Sequence, residues 1–399
     1  MEPIYSNFDG LDITFQCAVS SKALALLAEA KKQAHDLRSD AVARIGDSGK
    51  IVLVGETGSK GGFTYRFDSG LDGETWLIVD SPKRNGWNVK VSAKSLALAL
   101  YGCQGVIERI LKTLIDDLEA KGVTQNPALA MALNRPLDAA KGDYPLERIS
   151  RFDYCMDFRT NGFSPDIKAF VGKGRFKKRL LNSEPPSNAT SEIIFSGQNP
   201  KYFRIGSMPN RQVVLYDKIS DITEKRKSEW WGIWEIEKKE FKGQIWRLEI
   251  RAGKKELNNW NLRRLSDFEK MAGDVILGIL SDIKYTIPSL TDQNINRWPM
   301  ASFWIKAREI AKGKLENHIS NAKRKMILEG KRAEIKNQFE SQILGSTISY
   351  AALCGMDISE IPGVLDILGD ALLERIVQNQ KKFTEKHKNS ANKYANLKS

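Results

Sequence analysis

The chain has 399 residues, 41% of them hydrophobic, with 62 Lys and Arg against 49 Asp and Glu for a formal net charge of +13. It lacks the roughly 18 uncharged apolar residues of a membrane span, the basic start of a signal peptide, and any CxxC spacing among Cys17, Cys103, Cys155 and Cys354, so a reducing cytoplasm is the expected setting. The basic excess points to a polyanion, nucleic acid before a membrane surface, and the length allows two or three compact units.

Residues 1–91 read as strands and turns: LDITFQCAV and KIVLVGE are β-rich, while DSGK, GSKGG and SGLDG are turn clusters. VLVGETGSKGG fails as a phosphate-binding loop, because Ser59 precedes Lys60 and Gly61 stands where the hydroxyl belongs; a hairpin is expected instead. From Ser92 the period turns helical, with Val106, Ile107, Ile110, Leu111, Leu114, Ile115 and Leu118 on a stripe that Gly122 ends. A loop from Thr124 to Pro145 precedes a second β-rich stretch, in which KYFRIGSMPNRQVVLYDK reads as a hairpin and VGKGRFKKRLLNSEPPSN as a basic mobile loop. After Lys254 helices dominate, and QNQKKFTEKHKNSANKYANLKS reads as a frayed basic tail. No sequence repeat is visible. The expectation is an α+β fold, an antiparallel sheet with packed helices and a helical C-terminal region, divided as 1–145, 146–300 and 301–399.

The strand RFDYCMDF sets Phe152, Tyr154, Met156 and Phe158 on one face and Arg151, Asp153, Cys155 and Asp157 on the other. Asp153 and Asp157 stand roughly 13 Å apart along a straight strand, too far for both to chelate one ion. One is a ligand at most; the other orients a neighbour or pairs with an arginine. Val214, Tyr216 and Lys218 share a face of VVLYDK, and Arg247, Glu249 and Arg251 share a face of WRLEIR. Together these offer oxygen ligands for a divalent cation, arginines for a phosphate, and a hydroxyl nucleophile. Taken singly, each has a plainer role: a packed tyrosine, a cross-strand ion pair, an edge aspartate. The three histidines, His35, His318 and His387, stand at no metal-ligand spacing.

In this order and at these separations, RFDYCMDF, KYFRIGSMPNRQVVLYDK and WRLEIR resemble the replication initiators of rolling-circle plasmids and filamentous phages, the Rep_trans or replication-initiation-factor family. The likeness covers about residues 146–268, with NFDGLDITF a looser match to that family's first strand. It implies a nuclease core that nicks one DNA strand through a tyrosine, leaving a 5′-phosphotyrosyl link and a free 3′-OH. The tyrosine falls on Tyr216 and the triplet's lysine on Lys218. The first aspartate falls on Asp153 and the glutamate on Glu249, as ligands of Mg2+ or Mn2+. Asp157, Asp12 and Asp221 join as supporting residues. An acidic residue usual in the family is here Arg251, and Asp221 fills the acidic place after the tyrosine.

Such a site has a physical logic. A free tyrosine titrates near 10, so a cation at Lys218 or a metal would favour the phenolate, and Arg247 or Arg251 would clamp a phosphate oxygen. Lys173, Arg175, Lys177, Lys178 and Arg179, with the basic helices from Lys306 to Lys336, are expected to touch DNA phosphates. Trp230, Trp231 and Trp234 are read as core, or as a stacking surface for unpaired bases. The implied partners are origin DNA, single-stranded or in a hairpin, a host helicase and a second copy of the chain, with no membrane. A non-catalytic DNA-binding initiator or regulator on the same scaffold is the alternative; a metal-free recombinase is a third class.

Overall fold

The period-two runs pair into antiparallel ladders, and the helical stripes cover one side of the sheet they make. A computed structural model describes residues 1–70, 72–80, 86–122, 145–172, 191–196, 199–289, 291–292, 294–318, 324–384 and 387. They fall into two compact units, residues 1–258 with 262–320, and residues 321–399 with 259–261.

In the first unit the strands are β1 (Glu2–Gln16), β2 (Ala41–Ile45), β3 (Lys50–Val54), β4 (Tyr65–Asp68), β5 (Glu74–Ile78), β6 (Val89–Ala93), β7 (Leu146–Thr160), β8 (Phe170–Gly172), β9 (Ser191–Ser196), β10 (Asn199–Gly206), β11 (Arg211–Asp217), β12 (Gln244–Gly253) and β13 (Ile283–Tyr285). Eleven of them form one sheet, ordered β2-β3-β4-β5-β6-β1-β7-β12-β11-β10-β9, while β8 pairs with β13 apart from it. The α+β expectation holds. VLVGETGSKGG joins β3 to its antiparallel neighbour β4, the expected hairpin.

The strand order contains a repetition that the residues themselves do not display. From β1 the chain builds the meander β2–β6, whose last strand returns to flank β1; from β7 it builds β9–β12, whose last strand returns to flank β7. Helix α2 (Ser95–Lys112) follows the first meander, and α6 (Leu265–Asp282) follows the second. Strands β1 and β7, 15 residues each, run antiparallel from Glu2 opposite Arg159 to Gln16 opposite Leu146. The expected boundary at 145/146 therefore does not separate two bodies, because this long ladder crosses it. The boundary at 300/301 also moves, to about 320/321. Helix α7 (Ser302–Lys314) buries Phe303, Trp304, Ala307 and Ala311 in the first unit's core.

One face of the sheet is apolar throughout. Ile13, Phe15, Phe67, Trp76 and Val91 in the first half, and Phe152, Met156, Phe158, Leu215 and Leu248 in the second, are buried. Helix α1 (Ser21–Leu37) and α2 lie against the first half, and α6 and α7 supply Phe268 against Phe152 and Phe303 against Phe158 at ring-centroid distances of 5.2 and 5.9 Å. The opposite face differs between halves. Val42, Ile51 and Leu53 lie exposed on the first. On the second, helices α3 (Lys218–Glu224) and α4 (Glu229–Ile233) bring Ile222, Trp230 and Trp234 down beside Ile245.

Helix α5 (Lys254–Asn259) follows β12. In the second unit, α8 (Arg324–Leu353) and α9 (Ile361–Gln378) pack as a helical hairpin.

Candidate active site

Pairing register assembles the site. Across β7 and β12, Arg247 stands opposite Asp157, Glu249 opposite Cys155 and Arg251 opposite Asp153. Across β12 and β11, Tyr216 stands opposite Arg247 and Gln212 opposite Arg251. Alternation then puts Asp153, Cys155, Asp157, Arg247, Glu249, Arg251, Gln212 and Tyr216 on one face, as the separate strands implied. The aromatics of RFDYCMDF point to the helices on the other.

The two aspartates pair with different arginines. Asp157, fully buried, accepts from Arg247 Nε at 2.6 Å, Arg247 Nη2 at 2.7 Å and Trp234 Nε1 at 2.8 Å. Arg247 also donates from Nη1 to Asp9 at 2.7 Å and lies over the Trp230 ring at 4.1 Å. It is 0% exposed, so the expectation that Arg247 clamps a phosphate is corrected: its fork is already spent on two carboxylates. Arg251, with a side chain 23% exposed, keeps that capacity.

Asp9 escaped the sequence reading. The β1–β7 register jumps from Phe8 opposite Tyr154 to Gly10 opposite Asp153, leaving Asp9 as the extra residue of a β-bulge and turning it toward Arg247. Glycine at position 10 lets the Asp153 carboxylate come close to β1, since a Cβ there would sit 2.9 Å from Asp153 Oδ2. Asp12, the expected supporting residue, lies at the edge of the site, opposite Ser92 and Arg151 and ion-paired with Lys90 at 2.9 Å.

Asp153 is gripped by Arg151, Nε at 2.9 Å and Nη2 at 2.5 Å, and Glu249 by Arg251 Nε at 2.6 Å. Burial, with Glu249 adding its charge, outweighs Arg151 and pushes the Asp153 carboxyl up to about 7. Burial would raise Glu249 too, but Arg251, Arg247 and Lys218 prevail and hold it below the usual carboxylate range. Of the two carboxyls, Asp153 is the one that holds a proton more tightly. Among the described residues no three His, Cys, Asp or Glu converge as a metal cage. Two buried carboxylates fit a different mode, in which Mg2+ is held by one or two carboxylates together with substrate phosphate.

Tyr216 is 9% exposed, and Lys218 Nζ lies 3.4 Å from its hydroxyl. Asp217 caps α3, accepting from the Ile219 and Ser220 amides, and this cap sets Lys218 at the helix start. Lys218 donates to Asp221 at 2.8 Å and lies over Trp230 at 4.8 Å. Burial, reinforced by Glu249, raises the Tyr216 phenol well above its usual value, and burial, with Arg247 nearby, lowers Lys218. The expectation that Lys218 draws the tyrosine toward phenolate is thus corrected: desolvation wins, and the lysine proton is the loosened one. For Asp221, burial pushes upward but Lys218 and Lys225 dominate, and its carboxyl stays below the usual range.

Trp230 and Trp234 are buried, and Trp231 is half-buried against Phe241, so these tryptophans are core. Lys173, Arg175, Lys177, Lys178 and Arg179 lie outside the described residues. Helix α7 shows Lys306, Lys312 and Lys314 to solvent.

The charge state of Asp153 has a measurable consequence. An unfolded aspartate titrates near 3.9, so native Asp153 binds its proton more tightly than the unfolded chain does. That contribution to stability is complete below about pH 4 and is lost as pH rises through 7. Asparagine does not titrate. Asp153→Asn is therefore expected to stabilise the chain by about 1–3 kcal/mol at pH 8. The rise from near 3.9 to about 7 is worth at most about 4 kcal/mol, and the lost Arg151 pair offsets part of it. The gain should vanish toward pH 5. Urea titrations of both proteins at pH 5 and 8 measure it, and a difference independent of pH would put the proton elsewhere.

No family model matches the chain, and no curated protein matches it. Among solved structures, it is similar to the rolling circle replication initiator protein from Geobacillus stearothermophilus, at 14% identity and a TM-score of 0.39, over 77% of this chain and 96% of that one.

Proposed function

We propose that this chain is a replication initiator that nicks one strand of origin DNA through Tyr216. The observation that carries the reading is convergence. A tyrosine hydroxyl, a lysine of lowered pKa, a pair of buried carboxylates and a partly exposed arginine meet on one sheet face of a protein with net charge +13. The motif order along the chain supports it.

In this reading the Tyr216 oxygen attacks the scissile phosphorus, the bond to O3′ breaks, and the 5′ phosphate stays on the tyrosine while the 3′ oxygen leaves and takes a proton from water to become the 3′-OH. One phosphodiester replaces another, so no nucleotide triphosphate is consumed. Lys218 Nζ, at 3.4 Å, takes the phenol proton, and Asp221 orients it. Arg251 steadies a non-bridging oxygen. Mg2+ or Mn2+ would be held by Asp153 and Glu249 and would supply Lewis-acid polarisation of the phosphate.

One observation favours a second reading, a non-catalytic origin-binding initiator or regulator: Tyr216 is nearly buried and its phenol is hard to ionise. A labelled single-stranded origin oligonucleotide incubated with the chain and Mn2+, with and without EDTA, separates them. The enzyme leaves a denaturation-resistant protein–DNA adduct that EDTA suppresses and Tyr216→Phe abolishes. An adduct that persists in Tyr216→Phe sinks the tyrosine assignment, and no adduct under any condition favours the regulator.

A further inference from the structure

The apolar cover of the site contains a contact that packing alone does not require. Helices α3 and α4 place Ile222, Trp230 and Trp234 in a small core with Ile245. The Trp234 indole donates to Asp157 at 2.8 Å, which pins α4 to β7. Trp230, 1% exposed, is wedged beside it, with the Trp234 ring at 5.8 Å and the Tyr5 ring of β1 edge-on at 5.5 Å. A core indole ordinarily meets apolar neighbours. This one also meets two cations, Arg247 at 4.1 Å and Lys218 at 4.8 Å from the ring centroid, and among the described residues no other ring lies under both.

The two cations differ in what else holds them. Arg247 is fixed by Asp157 and Asp9, so its place does not depend on the ring. Lys218 stands on a flexible four-carbon stem and carries three donors. Asp221 takes one at 2.8 Å, and the Tyr216 hydroxyl lies at 3.4 Å. Asp221 also bonds Lys225, whose side chain is 60% exposed, so it ties Lys218 to the rim of the site as much as to the tyrosine. What remains around the Lys218 nitrogen is aromatic, the Trp230 ring at 4.8 Å and the Tyr216 ring at 5.4 Å.

We propose, on the reading that Tyr216 nicks DNA, that Trp230 is a positioning residue: its ring holds Lys218 at the tyrosine hydroxyl and stabilises the ammonium as it forms. When the phenol oxygen attacks phosphorus, its proton passes to the Lys218 amine, and a positive charge appears where none stood before. Away from water that charge needs a partner already in place, and the face of an indole is the strongest that an uncharged side chain offers. Arg247 on the same ring does not cancel the effect, because two carboxylates meet its charge. A tryptophan that only fills space behaves otherwise: its loss lowers stability and leaves the folded molecules as fast as before.

Trp230→Leu and Trp230→Phe in the full chain test this with two readouts. The first is adduct formation on the labelled origin oligonucleotide with Mn2+, under single-turnover conditions. In Trp230→Leu the maximal rate per folded molecule is expected to fall at least tenfold, while the half-saturating DNA concentration stays within twofold. Trp230→Phe keeps a ring and is expected to retain at least a third of the rate. The second readout needs no DNA: brief treatment with acetic anhydride, followed by mass spectrometry of the ratio of acetylated Lys218 to acetylated Lys225. The Lys218 side chain is 4% exposed against 60% for Lys225. The ratio is expected to rise at least fivefold in Trp230→Leu and to hold in Trp230→Phe. A rate or a ratio unchanged in Trp230→Leu overturns the proposal, and so does a Trp230→Phe as slow as Trp230→Leu. Should Trp230→Leu fail to fold, fluorinated tryptophan at position 230 keeps the shape and weakens the ring's negative face. A rate that falls with each added fluorine supports the proposal, and a rate indifferent to fluorine overturns it. If the unmodified chain forms no adduct, the nicking reading falls by itself, and the acetylation ratio then decides whether Trp230 holds Lys218.

Discussion

Tyr216→Phe is expected to lose adduct formation by at least about 10³-fold while leaving stability within about 1 kcal/mol of the unmodified chain. The substitution removes one oxygen and nothing else. The ring keeps its place on β11, near Tyr202 at 6.1 Å, and among the described residues the hydrogen bond given up is the 3.4 Å contact with Lys218, which Asp221 also holds. A packing tyrosine would show the stability result and no chemistry to lose. A nucleophile shows both: adduct yield on denaturing gels falls below detection, and the urea midpoint stays put. Because the phenol is held protonated far above neutrality, the adduct rate of the intact enzyme should also climb from pH 6 to 10, below the ordinary lysine range, as the Lys218 ammonium gives up its proton and becomes able to accept one. A flat profile over that range removes Lys218 from the proton transfer.

Arg247→Met is expected to cost about 3–5 kcal/mol, a large part of the roughly 5–15 kcal/mol that a domain has in total. Arg247 is the one cation in direct contact with both Asp157 and Asp9 among the described residues, and it is wholly enclosed. Methionine fills much of its volume but leaves two carboxylates in the interior without a counter-charge. The guanidinium's place over Trp230 is lost too, worth about 1–2 kcal/mol when desolvated. Removing the stranded charges as well should recover stability, so Asp9→Asn/Asp157→Asn/Arg247→Met is expected to be more stable than Arg247→Met alone by at least about 1 kcal/mol. Urea unfolding followed by tryptophan emission, with Trp230 and Trp234 seated on this network, measures both. If Arg247→Met unfolds at the same midpoint as the unmodified chain, the network does not support the fold.

The strands that carry the site were legible because a half-buried strand must alternate, and RFDYCMDF, RQVVLYDK and WRLEIR alternate cleanly. Their faces followed from period alone, and register then brought Asp153, Tyr216 and Glu249 to one side. Asp9 was lost because a bulge breaks the period by a single residue. The isolated Gly10, inside an otherwise strand-like NFDGLDITF, was the available signal, since glycine in a strand marks a bulge or a close approach. The role of Arg247 was also out of reach, because it depends on how deeply the β7–β12 pair is covered. The same holds for the tyrosine: spacing shows that Lys218 is near, while desolvation, which decides the phenol's charge, depends on α3 and α4 folding over the face. The division into lobes failed at 145/146 because strand pairing over more than a hundred residues leaves no trace in local composition.

The repeated winding of the sheet bears on how such a site can be confined to one place. Two identical half-length chains joined edge to edge through their first strands would be related by a dyad, and every residue on one side would recur on the other. Away from the axis, such an assembly holds its sites only in pairs. Carrying both windings in one polypeptide lifts that obligation, and this chain uses the freedom: the polar cluster lies on β11 and β12 beneath α3 and α4, while the corresponding strands of the first winding, β5 and β6, bear Thr75, Leu77, Lys90 and Ser92. Covalent linkage here is what permits asymmetry.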